Sequence, residues 1–163
     1  LAPAPVDQTP KKEAANVVPG TSAALDLLRE RQSKVDYPLM VPTMIERSSW
    51  IDRERPVRLY RFKTKGENQK TIRLTYRMGS GDYWGIQQSN WDDASVLGSR
   101  NFVRNIGGRR YELFYNGPKL HMVVLRQDGA SYWVVNTLLD RLSNETMLAI
   151  AKWLRPVSKV RVS

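Results

Sequence analysis

The amino-acid sequence predicts an α+β fold, a curved antiparallel meander sheet of about six or seven strands with a short N-terminal helix and a C-terminal helix packed on it. The second half of the chain holds four strand-like runs separated by Gly107-Gly108, Asn116-Gly117-Pro118 and Asp128-Gly129. Strands joined by such short turns must pair antiparallel. Helical spacing of apolar residues occurs near the two ends, in TSAALDLLRERQS and LSNETMLAIAKWLRP, which places one helix on each side of the sheet region.

The first twenty residues have a different composition from the rest. They contain four of the nine prolines and no periodic apolar pattern, which is typical of an extended tether. We therefore predict a proline-rich linker over residues 1–20 and a single domain over residues 21–163. Because the chain starts at Leu1 without a methionine, we expect it to be a piece of a longer protein. Thr21 or Ser22 can cap the first helix, which we expect to end near Lys34.

The segments VRLYRFKTKG and KTIRLTYRM predict a hairpin, and YWGIQQSNW predicts a further strand. In the second of these segments, strict alternation predicts that Ile72, Leu74, Tyr76 and Met78 share one face of the strand. The run YWVVNTLL predicts the last strand of the meander. Ser143 can cap the helix that follows, and Pro156 predicts that this helix ends at Arg155.

Asn136 interrupts the apolar run of the last strand. The sequence assigns it no His, Cys or acidic partner that would make it a catalytic group. Since a buried amide must be hydrogen-bonded, we predict that Asn136 is a structural residue that joins the last strand to the capped helix.

The net charge of +10 over 163 residues predicts an anionic partner. Residues 44–80 carry ten basic and four acidic side chains, a net charge of +6. If the hairpin strands pair as expected, its cations project from one sheet face and form a candidate ligand-binding face. Its members are Arg61, Lys63, Arg73 and Arg77. The alternative is a solvated face balanced by acids such as Asp52, Glu54 and Glu67.

Arginine suits the bidentate recognition of phosphate or carboxylate. Nearby aromatic side chains can stack on sugar rings or bases, and the candidates are Tyr83, Trp84 and Trp91. We expect at least half of these aromatics to lie in the core instead.

The sequence lacks the residues that most enzyme sites need. There is no cysteine and only one histidine, His121, whose apolar strand neighbours favour a structural or surface role. Asp92-Asp93 is the only adjacent carboxylate pair and is more typical of a turn than of a metal site. The glycine pairs lack the phosphate-loop pattern. We therefore predict no catalytic residue, no metal and no cofactor, and a chain that is not an enzyme by itself.

Three segments, GRRYELFYNGPKLHMVV, YWVVNTLL and LSNETMLAIAK, resemble the accessory domain that follows the catalytic domain in some actinobacterial LytR-CpsA-Psr cell-envelope proteins. The likeness covers roughly residues 37–156. That family attaches phosphate-linked glycopolymers to peptidoglycan outside the membrane. The arginines and magnesium-binding acids of its catalytic domain have no counterpart that can be placed on this chain, so no catalytic residue is carried over.

The resemblance implies a non-catalytic binding or scaffolding domain in the cell envelope. Its partners would be an anionic cell-wall glycopolymer, peptidoglycan or lipid phosphate, and an upstream catalytic domain of the same polypeptide that is anchored in the membrane. Two alternatives remain open. One is an envelope domain that senses stress or a ligand and encloses an apolar molecule. The other is a domain that binds single-stranded nucleic acid through its basic sheet face.

Overall fold

The computed structural model describes residues 14–20, 22–64, 67–90 and 102–161. It contains two α-helices in this part of the chain, α1 (Ser22–Arg31) and α2 (Asn144–Lys152). A 3₁₀ turn, Gln32–Lys34, follows α1, which confirms the predicted first helix and its end. The strands within the described residues are β1 (Val17–Pro19), β2 (Met40–Pro42), β3 (Met44–Glu46), β4 (Trp50–Ile51), β5 (Val57–Thr64), β6 (Glu67–Arg77), β7 (Tyr83–Ser89), β8 (Phe102–Ile106), β9 (Arg109–Asn116), β10 (Lys119–Gln127), β11 (Ala130–Val135) and β12 (Leu154–Pro156).

The main sheet has eight strands in the order β4-β6-β7-β11-β10-β9-β8, and β5 pairs with the same edge of β6 as β4 does. Every pairing is antiparallel. The predicted α+β class and the four-stranded meander β8–β11 are confirmed. The strand number of six or seven is corrected to eight. Strand β4 spans only two residues, which is too short for its alternation to be visible in the sequence.

The two faces of the sheet have different surroundings. The inner face carries Ile72, Leu74 and Tyr76, which are buried in one core with side chains of α1 and α2. Those helical side chains include Leu25 and Ile150. Adjacent positions such as Arg73 and Arg77 therefore lie on the outer face, because side chains alternate along a strand. Within the described residues, the helices cover only the inner face of the sheet.

The outer face has a smaller apolar cluster of its own. Phe114, Val124 and Trp133 are buried there and pack with Met122 and Val135. Their cross-strand register connects them to the basic hairpin, since Trp133 lies opposite Gln87 and Gln87 lies opposite Arg73.

Part of the predicted linker belongs to the folded domain. Val17–Pro19 pair with Met44–Glu46 as β1 and β3, and the backbone N–H of Asn16 donates to Oγ1 of Thr146. The boundary predicted at residue 20 is therefore too late. Residues 1–13 lie outside the described part of the chain.

The end of α2 also differs from the prediction. The helix ends at Lys152 rather than Arg155, because Leu154–Pro156 pair with Met40–Pro42 as β12 and β2. Pairing with another strand satisfies backbone groups that a further helical turn would otherwise use. The predicted cap is confirmed, since the backbone N–H of Thr146 donates to Oγ of Ser143 over 3.2 Å.

Asn136 forms the predicted structural link between β11 and α2. Its Nδ2 donates to the carbonyls of Leu120 (2.9 Å) and Leu142 (3.0 Å). Its Oδ1 accepts from the backbone N–H groups of Thr137 (2.8 Å) and Leu142 (3.0 Å). All four bonds are buried, so the amide is fully used by the fold.

Candidate binding surface

The hairpin β5–β6 places its cations on two different faces. Arg58 lies directly opposite Arg73, whereas Arg61 lies opposite Lys70. Residues that face each other across a pair of strands share a sheet face. Arg73 and Arg77 are thus on the outer face, and Arg61 and Lys63 are on the same side as the inner-face residues. The predicted single face of four cations is wrong.

The cause is the length of the turn. Thr64 pairs with Glu67, so the loop encloses only positions 65 and 66. A loop with an odd number of residues would have put Arg61 and Arg73 on one face, and an even number puts them on opposite faces. Arg61 and Lys63 are exposed, which leaves them as separate surface cations.

A third arginine, which the sequence did not predict, joins Arg73 and Arg77. Arg58 is opposite Arg73, and its guanidinium donates to the hydroxyl of Tyr60 over 3.1 Å. Among the described residues, none of these three arginines has an acidic partner in an ion pair. Like charges directly opposite each other destabilise a sheet, so an anion bound here would relieve the repulsion.

Aromatic side chains flank the arginines. Tyr83 is 47% exposed, and the guanidinium carbon of Arg77 lies 5.8 Å from the centroid of its ring. On the other side of Arg77, Trp50 is opposite it in register and is 43% exposed. We call these six residues the outer basic surface: Trp50, Arg58, Tyr60, Arg73, Arg77 and Tyr83.

The other predicted stacking residues do not join this surface. Trp84 is buried, its ring stacks on Tyr76 at a centroid distance of 4.4 Å, and its Nε1 donates to Oγ of Ser49 over 2.7 Å. It belongs to the core, as we expected for at least half of the aromatics. Trp91 lies outside the described residues, as do Asp92 and Asp93.

Gly85 is buried in the middle of the outer basic surface. It lies opposite Thr75, between the row that contains Arg77 and Tyr83 and the row that contains Arg73. A Cβ at this position would come within 2.8 Å of the carbonyl oxygen of Leu74 and 3.8 Å of Nε of Arg73. The missing side chain lets the guanidinium group of Arg73 lie over the backbone of β7.

Two acidic side chains of the sheet region have cationic partners of their own. Glu112 on the outer face accepts from Nε of Arg126 over 2.8 Å, and Asp82 pairs with Arg141 at 2.9 Å. Asp52 lies beside the surface, since its backbone N–H donates to the carbonyl of Thr75, and it has no ion-pair partner in the described part of the chain. The three arginines outnumber this carboxylate, so the outer basic surface keeps a net positive charge. Chemically, the surface can bind an anionic group through guanidinium hydrogen bonds while aromatic rings contact an apolar or sugar face.

His121 is neither in the core nor part of this surface. Its Nδ1 lies 2.6 Å from Oδ1 of Asp140, and Nδ2 of Asn116 donates to Oδ2 of the same carboxylate over 3.2 Å. Asp140 is buried, so the histidine and the amide together satisfy its carboxylate. No group of three or more potential metal ligands occurs among the described residues.

No protein-family model, curated protein or solved structure matches this chain. Within the described residues, no helix has both the length and the apolar character needed to cross a bilayer.

Proposed function

We propose that this chain is a non-catalytic, extracytoplasmic binding domain of a cell-wall glycopolymer transferase of the LytR-CpsA-Psr type, and that its outer basic surface binds an anionic wall polymer. The observation that carries the binding role is the row of Arg58 and Arg73 beside Arg77, unpaired with acids in the described part of the chain and flanked by exposed aromatics. The envelope location and the transferase context come from the sequence resemblance.

The chemistry of the surface favours a polymer that repeats both an anion and a sugar. Guanidinium groups bind phosphodiester or carboxylate oxygens in a bidentate manner, whereas Tyr83 and Trp50 offer flat apolar faces to pyranose rings. The two kinds of group alternate along one row, since Trp50 is opposite Arg77 and Arg77 is opposite Tyr83. A phosphate-linked or uronic-acid-containing glycan presents the same alternation.

The decisive experiment compares two double variants of the same hairpin. Arg73→Gln with Arg77→Gln removes two charges from the outer face, and Arg61→Gln with Lys63→Gln removes two charges from the other face. Co-sedimentation with purified cell wall at rising salt would measure both. We expect the first variant to bind about tenfold or more weakly, because each charge-assisted hydrogen bond contributes roughly 1.5 kcal/mol or more.

The second variant should bind nearly as well as the parent chain, with only the small loss that follows from lower net charge. Equal losses in the two variants would show that binding depends on net charge and not on a defined face. No loss in either variant would remove the outer basic surface from the proposal. Tighter binding to single-stranded DNA than to wall polymer would favour the nucleic-acid alternative.

One observation favours the ligand-sensing alternative. An apolar cleft of about 300 Å³ lies between α1, β4 and β6 and is lined by Ala24, Ile45, Ile51 and Tyr76 among others. The hydroxyl of Tyr76 is buried and has no hydrogen-bond partner. A small apolar ligand would fit this cleft, and native mass spectrometry of the purified chain would detect it.

A further inference from the structure

The turn between β11 and α2 presents two adjacent leucines to solvent. Leu138 is 94% exposed and Leu139 is 66% exposed. Every large apolar side chain of the neighbouring β11, by contrast, is largely buried. Exposing two neighbouring leucines to water does not stabilise the fold, and neither leucine packs in the core of the described residues. We call this pair the leucine tip.

The exposure of the leucine tip does not come from a loose loop. The backbone N–H of Arg141 donates to Oγ1 of Thr137 over 2.8 Å, and the N–H of Asp140 donates to the carbonyl of Thr137 over 3.0 Å. Asp140 adopts a φ of 52° and buries its carboxylate against His121. A left-handed backbone at a non-glycine residue is uncommon, so the surrounding bonds impose this conformation and hold both leucines outward.

Cations and amphipathic aromatics lie at the same end of the sheet. Nε of Arg141 lies 2.9 Å from Oδ2 of Asp82, which ties the leucine tip to the turn before β7. Tyr83 follows Asp82 directly and has Arg77 beside it. Lys119, the first residue of β10, is exposed next to the turn between β9 and β10. Three cations, Arg77, Lys119 and Arg141, outnumber Asp82 and Asp140, so the formal charge of these groups is net positive.

This combination matches the chemistry of a bilayer interface. Leucine side chains enter the acyl region, tyrosine and tryptophan prefer the headgroup level, and arginine and lysine bind lipid phosphates. A specific protein interface buries about 800 Å² on each partner, which is more than two protruding side chains provide. The geometry points to a lipid-docking end, at which the leucine tip inserts into an anionic bilayer and Arg77, Lys119 and Arg141 contact its headgroups.

Vesicle co-sedimentation tests this docking directly. The 163-residue chain would be mixed with vesicles of roughly 3:1 phosphatidylcholine and phosphatidylglycerol, or of phosphatidylcholine alone. We expect the parent chain to bind the anionic vesicles. The double variant Leu138→Ser with Leu139→Ser should bind them about tenfold or more weakly, because it loses the free energy of transferring two leucine side chains out of water. The matched control is Phe102→Ser, which removes a 61% exposed apolar side chain on β8 and should leave binding unchanged. Equal binding by the parent chain and the leucine variant overturns the inference.

A site-specific probe gives a second, independent readout. The chain has no cysteine, so Leu138→Cys and Phe102→Cys each provide one attachment point for an environment-sensitive fluorophore. On anionic vesicles we expect a blue shift from the probe at position 138 and none at 102. Similar responses at both positions, or a shift at 138 that grows with protein concentration without vesicles, overturn the inference.

Lipid docking and polymer binding can be separated. The double serine variant should still co-sediment with cell wall, and Arg73→Gln should weaken wall binding while the probe at position 138 still responds to vesicles. Either inference can therefore fail while the other holds.

Discussion

Replacing Asn136 with alanine should lower the free energy of unfolding by about 4 kcal/mol. The side chain makes four buried hydrogen bonds of 2.8 to 3.0 Å, and a typical bond of this kind contributes about 1 kcal/mol net. Alanine removes all four at once and leaves buried backbone groups of Leu120, Thr137 and Leu142 without that partner. The loss is large for a domain whose total stability is expected to be about 5–15 kcal/mol.

Urea unfolding followed by circular dichroism would measure the change, with Asn105→Ala as the control. Asn105 is exposed on β8, and its replacement should change the free energy of unfolding by less than about 0.5 kcal/mol. Asn136→Asp should destabilise at least as much as alanine at neutral pH. It keeps the two accepted bonds but turns an acceptor toward the carbonyls of Leu120 and Leu142. A loss below about 1 kcal/mol for Asn136→Ala would refute the structural role.

Two further predictions concern buried tyrosines. Tyr76→Phe should be neutral or should stabilise the protein by about 1 kcal/mol, because it removes a buried hydroxyl without a partner. Tyr132→Phe should destabilise the protein by a similar amount, because it loses the hydrogen bond to the carbonyl of Pro38. Thermal unfolding of both variants measures these changes, and the opposite order of stabilities would contradict the prediction. Burial raises the pKa of Tyr37, Tyr76 and Tyr132 above the ordinary value near 10. The stability that these neutral tyrosines contribute is then fully present below about pH 10 and is lost as the pH rises further, because the tyrosines of the unfolded chain ionise first. The free energy of unfolding should fall by about 1.4 kcal/mol per pH unit for each tyrosine. Urea unfolding between about pH 9 and 11.5 should show this fall in the free energy of unfolding. The slope should be about one third shallower in Tyr76→Phe. A free energy of unfolding that does not change with pH in this range would exclude the mechanism.

The meander was predictable because its turns have a chemical signature. Gly107 and Gly108 have φ values of 56° and 80°, and Asp128 and Gly129 have values of 55° and 73°. Consecutive residues with positive φ are what a tight hairpin requires, and glycine and aspartate are the residues that tolerate it. The hydrophobic pattern in the second half of β6 was equally direct, since Ile72, Leu74 and Tyr76 are all buried in the core.

The outer basic surface was only half predictable. Arg73, Arg77 and Tyr83 could be named from the sequence, but which cations share their face depends on whether the hairpin loop holds an even or odd number of residues. In the segment KTKGENQK the sequence predicts the turn at Gly-Glu-Asn-Gln, whereas Glu67, Asn68 and Gln69 already belong to β6. Trp50 was missed because β4 pairs through two residues only, and so short a strand has no measurable period.

The leucine tip was visible in the sequence as part of an apolar run, yet its exposure was not. The run YWVVNTLL predicts a last strand that includes Leu138 and Leu139. The strand in fact ends at Val135. The side chain of Asn136 accepts a hydrogen bond from the backbone N–H of Leu142, so the chain turns here instead of continuing along the sheet. A single buried amide thus decides that the last two residues of an apolar run face solvent.

The backbone beneath the leucine tip has a kinetic consequence. The N–H groups of Thr137, Asp140, Arg141 and Leu142 all donate to groups of the same turn. Their hydrogens should therefore exchange slowly, even though the leucine tip itself is exposed. Ordering a flexible segment on contact costs about 1–2 kcal/mol per residue. This turn is already ordered by its hydrogen bonds. Binding that buries Leu138 and Leu139 would therefore gain the free energy of their burial with little entropy cost for ordering the backbone. Slow amide exchange in the free chain, unchanged when the tip is occupied, would be the signature of such preorganisation.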